Sequence, residues 1–182
     1  MPGEEQWPDA LDDLGAHAPL MLWVRGDTAL LRSPALAVVG ARACTGYGSH
    51  VTAELTSDAC ATGLTIISGA AYGVDADLIG LTNTLVMFGG SKDVAAVAHR
   101  AALALHTPTI AVLAGGADRP YPSAHAHMLE QIGEAGAVCS EMVPGSAPTR
   151  WRFLQRNRVI AALSRATLVT EAGPRSGSLN TA

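Results

Sequence analysis

Aromatic residues are scarce in this chain, making up 4% of its 182 residues. Its core must therefore be aliphatic and alanine-rich, and the 48% hydrophobic content is enough for one compact domain. Lysine is scarcer still: Lys92 stands alone beside eleven arginines. Positive charge is thus almost all guanidinium, the planar fork that suits phosphate best. The three cysteines, Cys44, Cys60 and Cys139, lie far apart with no CxxC pair. That disfavours zinc and fits a reduced, cytoplasmic compartment. The six histidines show no HExxH or similar spacing, so no metal site is expected. No apolar run approaches the ~20 residues of a membrane helix. The acidic start "MPGEEQWPDALDD" lacks the apolar segment of a signal peptide. Neither membrane insertion nor export is expected.

What is present is unevenly spread. The net charge is -4, yet six of the sixteen acids fall in the first 27 residues. Six of the twelve lysines and arginines fall between 150 and 175, where only Glu171 opposes them. Such a basic stretch is a candidate phosphate track whatever the net charge.

The order of elements alternates. Strands are expected at 36–40, 64–70, 109–116, 137–141 and 167–172, and helices at 49–62, 94–105, 123–136 and 151–166. The strands are near-continuous apolar runs, as in a parallel sheet covered on both faces. Alternation of this kind predicts an α/β fold with a Rossmann-like, doubly wound, mostly parallel sheet. Residues 1–34 read as a lead-in segment and 35–182 as the domain. The chain stops at "RSGSLNTA", on what reads as the first turn of another helix, so the sheet is expected to be incomplete and truncated at the C-terminus. The stretch 77–93, with its strand-like "TLVMF", fits no element of the alternation and reads as an insertion.

Ligands of open parallel sheets sit outside the carboxyl ends of the strands. Four such ends carry glycine: "GARACTGYG" (40–48), "SGAAYGVDA" (68–76), "AGGADRPYP" (114–122) and "EAGPRSGS" (171–178). Glycine lets a backbone approach a ligand, and the following helix N-termini offer free N–H groups to an anion. Read blandly, the same glycines only make tight turns. The first loop matches neither GxGxxG nor GxxxxGK[ST], and the second strand ends in Ser68-Gly69 rather than in an acid for ribose. A dinucleotide is therefore disfavoured, and no cofactor is expected. Arg42 stands inside that loop, where it either forks onto a phosphate or pairs with a nearby carboxylate. In "RWRFLQRNR" (150–158), arginines interleave with an aromatic, the pattern single-stranded nucleic acid needs. The alternative there is an amphipathic helix with a solvated basic face and Trp151 or Phe153 in the core. Arg156 and Arg158 are expected on a rather open helical face. Glu141 and Glu171 end strands, where such residues cap a helix or pair with arginine more often than they act as acids. No catalytic constellation emerges, and no enzyme is expected.

Five segments in order, "VVGARACTGYG", "SGAAYGVDA", "AVLAGGADRPYP", "FLQRNRVIAALS" and "EAGPRSGSLNTA", closely resemble the DNA-processing protein A (DprA, also called Smf) family. The resemblance implies a Rossmann-like domain that binds single-stranded DNA, protects incoming DNA in natural transformation (competence) and helps load the RecA recombinase in recombination. It also implies a homodimer. The family's G-[ST]-R motif falls on Gly40, Ala41 and Arg42, so its middle hydroxyl is absent. F-x-x-R-N-R falls on Phe153, Arg156, Asn157 and Arg158, and R-S-G-S on Arg175, Ser176, Gly177 and Ser178. With Gly46, Gly48, Ser68, Gly69, Gly115 and Gly116 of the glycine loops, these form the expected DNA and phosphate site. The rival reading is a Rossmann-like nucleotide hydrolase, similar to the lysine-decarboxylase-like phosphoribohydrolases. Those carry a PGGxGTxxE pattern, and its glutamate is missing from "GGADRPYP" and "GPRSGSLNTA".

Overall fold

A computed structural model of the chain describes residues 1–69, 93–121, 123–173 and 176–182. Six strands form one sheet: β1 (Trp23–Gly26), β2 (Ala35–Val39), β3 (Thr65–Gly69), β4 (Thr109–Val112), β5 (Ala137–Ser140) and β6 (Ala166–Val169). Their order is β1-β5-β4-β3-β2-β6. All pairings are parallel except that of β1 with β5, in which Trp23 faces Ser140 and Gly26 faces Ala137. The expected mostly parallel α/β sheet is found, with one strand added. β1 is short, exposed at three of its four positions and carries Arg25, so it lacks the apolar signature of the central strands.

Four α-helices connect the parallel strands: α1 (Gly46–Ala61), α2 (Val94–Ala104), α3 (Ala126–Ala135) and α4 (Arg150–Leu163). Three of the four starts have a side-chain cap. Thr45, Asp93 and Thr149 cap α1, α2 and α4 by accepting from the amides of Gly48, Ala95 and Arg152. The expected helix at 123–136 is split: Ser123–His125 forms a single 3-10 turn before α3. The chain's last helical turn, Gly177–Asn180, is also 3-10. Helix α4 ends at Leu163 rather than 166, because Ala166 already pairs with Leu36 in the sheet.

The sheet has aliphatic packing on both faces, which is why its central strands are buried and mostly apolar. On one face α4 and the lead-in segment bury Trp7, Leu11, Leu31, Ile67, Ile110, Val159 and Ile160 together. On the other, α1, α2 and α3 bury Val38, Ile66, Val94, Leu129, Ile132 and Val138 in two clusters. Within the stretch 77–93, positions 77–92, including "TLVMF", lie outside the described residues. Asp93 belongs to the fold proper, as the cap of α2.

Edge strand β1 depends on a close backbone approach. Gly26 has φ +103°, and a Cβ there would sit 2.8 Å from the Gly133 carbonyl oxygen and nearer still to that of Gly136. The partners are backbone and cannot step aside. Gly26→Ala is therefore expected to destabilise the protein by about 2 kcal/mol or more, read as a lower urea midpoint with an unchanged slope.

Candidate functional site

The sheet's order changes direction at β2: β3, β4 and β5 extend to one side of it and β6 to the other. Loops leaving neighbouring strands at such a point diverge and leave a crevice. Here the crevice is a cleft of about 930 Å³. Gly40, Ala41 and Arg42 follow β2, and Ser68 and Gly69 end β3; both groups line it. Phe153, Arg156 and Asn157 enter from α4, and Ser176, Gly177 and Ser178 from the segment after β6. Residues from four separate motifs thus meet in one place.

The floor is held by Arg156. Its side chain is 5% exposed, and Nη1 donates to the Val112 carbonyl at the end of β4, 2.6 Å away. A Cβ on Gly69 would collide with this guanidinium, so glycine ends β3 to leave room for it. Burial pulls the Arg156 pKa down to about 10, which leaves it cationic at neutral pH. The open helical face expected for Arg156 is thus corrected: the residue points under the sheet's carboxyl edge.

Phe153 is 4% exposed. Arg42 lies 5.9 Å and Arg156 6.0 Å from its ring centre, and Tyr121 packs against it at 6.2 Å. The ring serves as a π surface for two guanidinium groups. A base could stack on it only by displacing Arg42 or Tyr121.

The loop carrying Arg42 is pinned from both sides. Ala41 N–H donates to the Glu171 carbonyl at 2.6 Å, and Ala41 C=O accepts from Val94 N–H at 3.2 Å. The Glu171 carboxylate accepts from Thr45 N–H at 3.0 Å and from the Thr45 hydroxyl at 2.9 Å. A Cβ on Gly48 would collide with that same carboxylate. The protein's own anion therefore occupies the start of α1, where the sequence places Gly46 and Gly48 as phosphate ligands. Neither glycine lines the cleft, and Gly115 and Gly116 also lie outside it. Those two pack against the 143–148 loop, where a Cβ on Gly115 would meet Ser146 C=O at 2.8 Å.

The basic cluster divides in the same way. Arg150 and Arg156 line the cleft. Arg152 turns back to donate to Ala147 C=O at 2.7 Å. Arg158 does not reach the cleft: it holds Glu141 through two hydrogen bonds of 2.6 and 2.8 Å and donates to His17 C=O at 2.8 Å. Arg175 lies outside the described residues. On the fourth loop, Asn157 Nδ2 donates to Gly177 C=O at 3.0 Å, and Ser176 and Ser178 hydrogen-bond to each other.

Three lining residues with polar side chains are absent from the expected site: Arg150, Thr181 and Asp93. Asp93 is the one with unusual chemistry. It is 3% exposed, its Oδ1 accepts from Ala95 N–H, and its Oδ2 has no hydrogen-bond partner. Burial pushes its pKa up to about 7, against the pull of the Ala95 amide and of Arg156, Arg42 and Arg100. An aspartate immediately before the apolar run "VAAVAHR" is a helix-start signal, which its place in an apparent insertion obscures.

A family model described as DNA recombination-mediator protein A matches residues 1–82 and 76–182. The chain belongs to this family. It is 41% identical, over its whole length, to a putative DNA processing protein DprA of Mycobacterium tuberculosis, covering 44% of that protein. It is 38% identical over 90% of its length to the DNA processing protein DprA of Streptococcus pneumoniae, covering 51%. The chain thus spans about half the length of the curated relatives it matches. Its fold superposes on the crystal structure of the S. pneumoniae protein with a TM-score of 0.81, at 35% identity, covering 98% of this chain and 55% of that one. A structure of DNA processing protein A from Helicobacter pylori, described for its single-stranded DNA binding mode, gives 0.80 at 29% identity, covering 98% and 72%. The two family matches meet at 76–82, where the sequence alternation also breaks. Among the described residues, no helix is long and apolar enough to cross a membrane, and no cluster of His, Cys, Asp or Glu could hold a metal ion.

The two roles of the basic cluster separate experimentally. Arg158→Ala strips a largely buried carboxylate of its partner and frees the lead-in at His17, so it is expected to cost roughly 1–3 kcal/mol. A chemical melt of that variant against Arg152→Ala, whose single contact is exposed, checks this: Arg152→Ala is expected to stay within about 0.5 kcal/mol of the parent.

Proposed function

We propose that this chain binds single-stranded DNA without catalysis, with the phosphates held in the cleft at the β2 switch point. The observation that carries this reading is the convergence of Arg42, Arg150 and Arg156 on one cleft with the strand-end and loop residues Gly40, Gly69 and Gly177. Membership of the family, and the binding mode described for the H. pylori relative, support it. Residues 35–182 would be the DNA-binding domain, with 1–34 as a lead-in and 77–92 as an insertion. Protection of incoming DNA, loading of RecA, homodimerisation and a cytoplasmic location are proposed on family membership alone. The rival nucleotide hydrolase needs a glutamate free to act, and both strand-end glutamates are engaged: Glu141 by Arg158, and Glu171 by Thr45.

Arg42 is exposed at the cleft while its loop is pinned, so it can reach a phosphate without unfolding anything. A hydrogen bond to a charged group contributes roughly 1.5–3 kcal/mol, so Arg42→Ala is expected to weaken oligonucleotide binding about ten- to a hundredfold. Arg158→Ala should leave affinity at the parent level. Log affinity should fall with log salt at about -0.7 per phosphate contacted, and single strands should outcompete duplex. Titrations of labelled oligonucleotides check all three. Salt-independent binding, or mononucleotides binding more tightly than oligonucleotides, would remove the reading.

A further inference from the structure

Asp93 is an acid where an anion should go. Its carboxyl lines the cleft that three arginines line, and it is nearly fully buried. Oδ1 is committed to the first turn of α2, but Oδ2 has no partner. The charged groups around it are Arg156 from α4, Arg42 from the loop after β2, and Arg100 from its own helix. Capping α2 explains an Asp at this position equally well as a Ser, Thr or Asn. It does not explain a second, buried oxygen left without a hydrogen-bond partner in the wall of an anion cleft.

We propose that Asp93 meets a DNA phosphate as the neutral acid, donating a hydrogen bond from Oδ2, so that each phosphate seated there brings one proton in with it. The inference rests on the reading of the cleft as a phosphate site. The proton comes from water and returns to it when the DNA leaves; no bond other than O–H is made or broken. The coupling is reciprocal. In the empty cleft Arg156 and Arg42 favour the carboxylate, while burial opposes it more strongly. A phosphate that pairs with those arginines cancels their pull and adds a negative charge of its own, so the acid form gains on both counts. Burial raises the Asp93 pKa to about 7 in the empty cleft, so the coupling is expected around and above neutral pH.

The sign follows. Below the pH at which Asp93 titrates in the free protein, the proton is already present and affinity does not depend on it. Above that pH, each binding event must take a proton up, and affinity falls toward tenfold per pH unit. Two measurements test this on the full chain, with a short oligothymidylate at constant ionic strength. Binding to the parent is expected to be roughly thirtyfold weaker at about pH 8.5 than at about pH 6. Calorimetry at about pH 8.5, in two buffers of different ionisation enthalpy, should count close to one proton taken up per site. In Asp93→Asn the amide oxygen still accepts from Ala95 N–H, and its NH2 supplies a permanent donor. That variant should match the parent near pH 6, bind about tenfold or more tightly than it near pH 8.5, and take up no proton. Equal pH slopes in both proteins, no proton uptake by the parent, or an Asp93→Asn variant that melts normally yet binds more weakly at every pH would each overturn the inference while leaving DNA binding standing. Failure of the folded parent to bind oligonucleotide at any pH would overturn the phosphate reading and the inference together.

Discussion

A buried guanidinium organises the carboxyl edge of this sheet. Arg156 reaches from α4 beneath the ends of β3 and β4, and its contact with Val112 C=O closes the gap between helix and sheet. That placement dictates its neighbours. β3 must end in Gly69, since any side chain would strike the guanidinium. Phe153, one turn earlier on α4, must offer it a π face. Taking a cation out of water costs several kcal/mol unless the site returns comparable interactions. One short hydrogen bond and one ring return only part of that, and Nε finds no partner. Asp93 supplies a counter-charge only when ionised, and burial opposes that; a phosphate in the cleft would supply a full one, which makes ligand binding and the stability of this edge the same problem.

Glu171 solves a second problem at the same edge. Helix α1 starts next to the cleft, and its unpaired amides would attract any anion that entered. The Glu171 carboxylate satisfies Thr45 instead, while its backbone carbonyl fixes Ala41. A strand-end glutamate here does the job that a nucleotide phosphate does in dinucleotide-binding folds. A phosphate entering this edge would thereby be kept from α1 and left to the arginines, with the Arg42 loop held stiff in between.

Much of this was legible in the residues, and the limits of legibility are physical. Central strands declared themselves because both faces are covered, so each is buried at every position and mostly apolar. β1 did not, because an edge strand of four residues with Arg25 in it has no such pattern. The motifs that meet at the cleft were visible as glycine and arginine at strand ends, yet the sequence does not say which way a long side chain turns. Arg156 and Arg158 sit two positions apart on one helix: one goes under the sheet, the other to Glu141 and the lead-in. Local spacing separates their faces by about 200°, but only the packed neighbours decide which face is floor. Asp93 was hidden for a different reason: it caps a helix directly after a stretch that breaks the alternation.

The negative net charge does not weigh against the proposed DNA binding, and the cleft shows why. A chain of formal charge -4 would repel DNA if its charges acted as one. At physiological ionic strength they do not, because screening confines each exposed charge to about 8 Å. The groups that line the cleft, and that a phosphate there would meet first, are three arginines and one carboxyl group whose burial favours its neutral form. The acids that set the overall sign include Glu4, Glu5, Asp9, Asp12 and Asp13, all outside the cleft. Local composition governs contact, and the global sign governs only the approach at low salt. The charge that matters most is therefore the one that can change, and of the carboxyl groups around this cleft that is the one whose oxygen has nothing yet to bind.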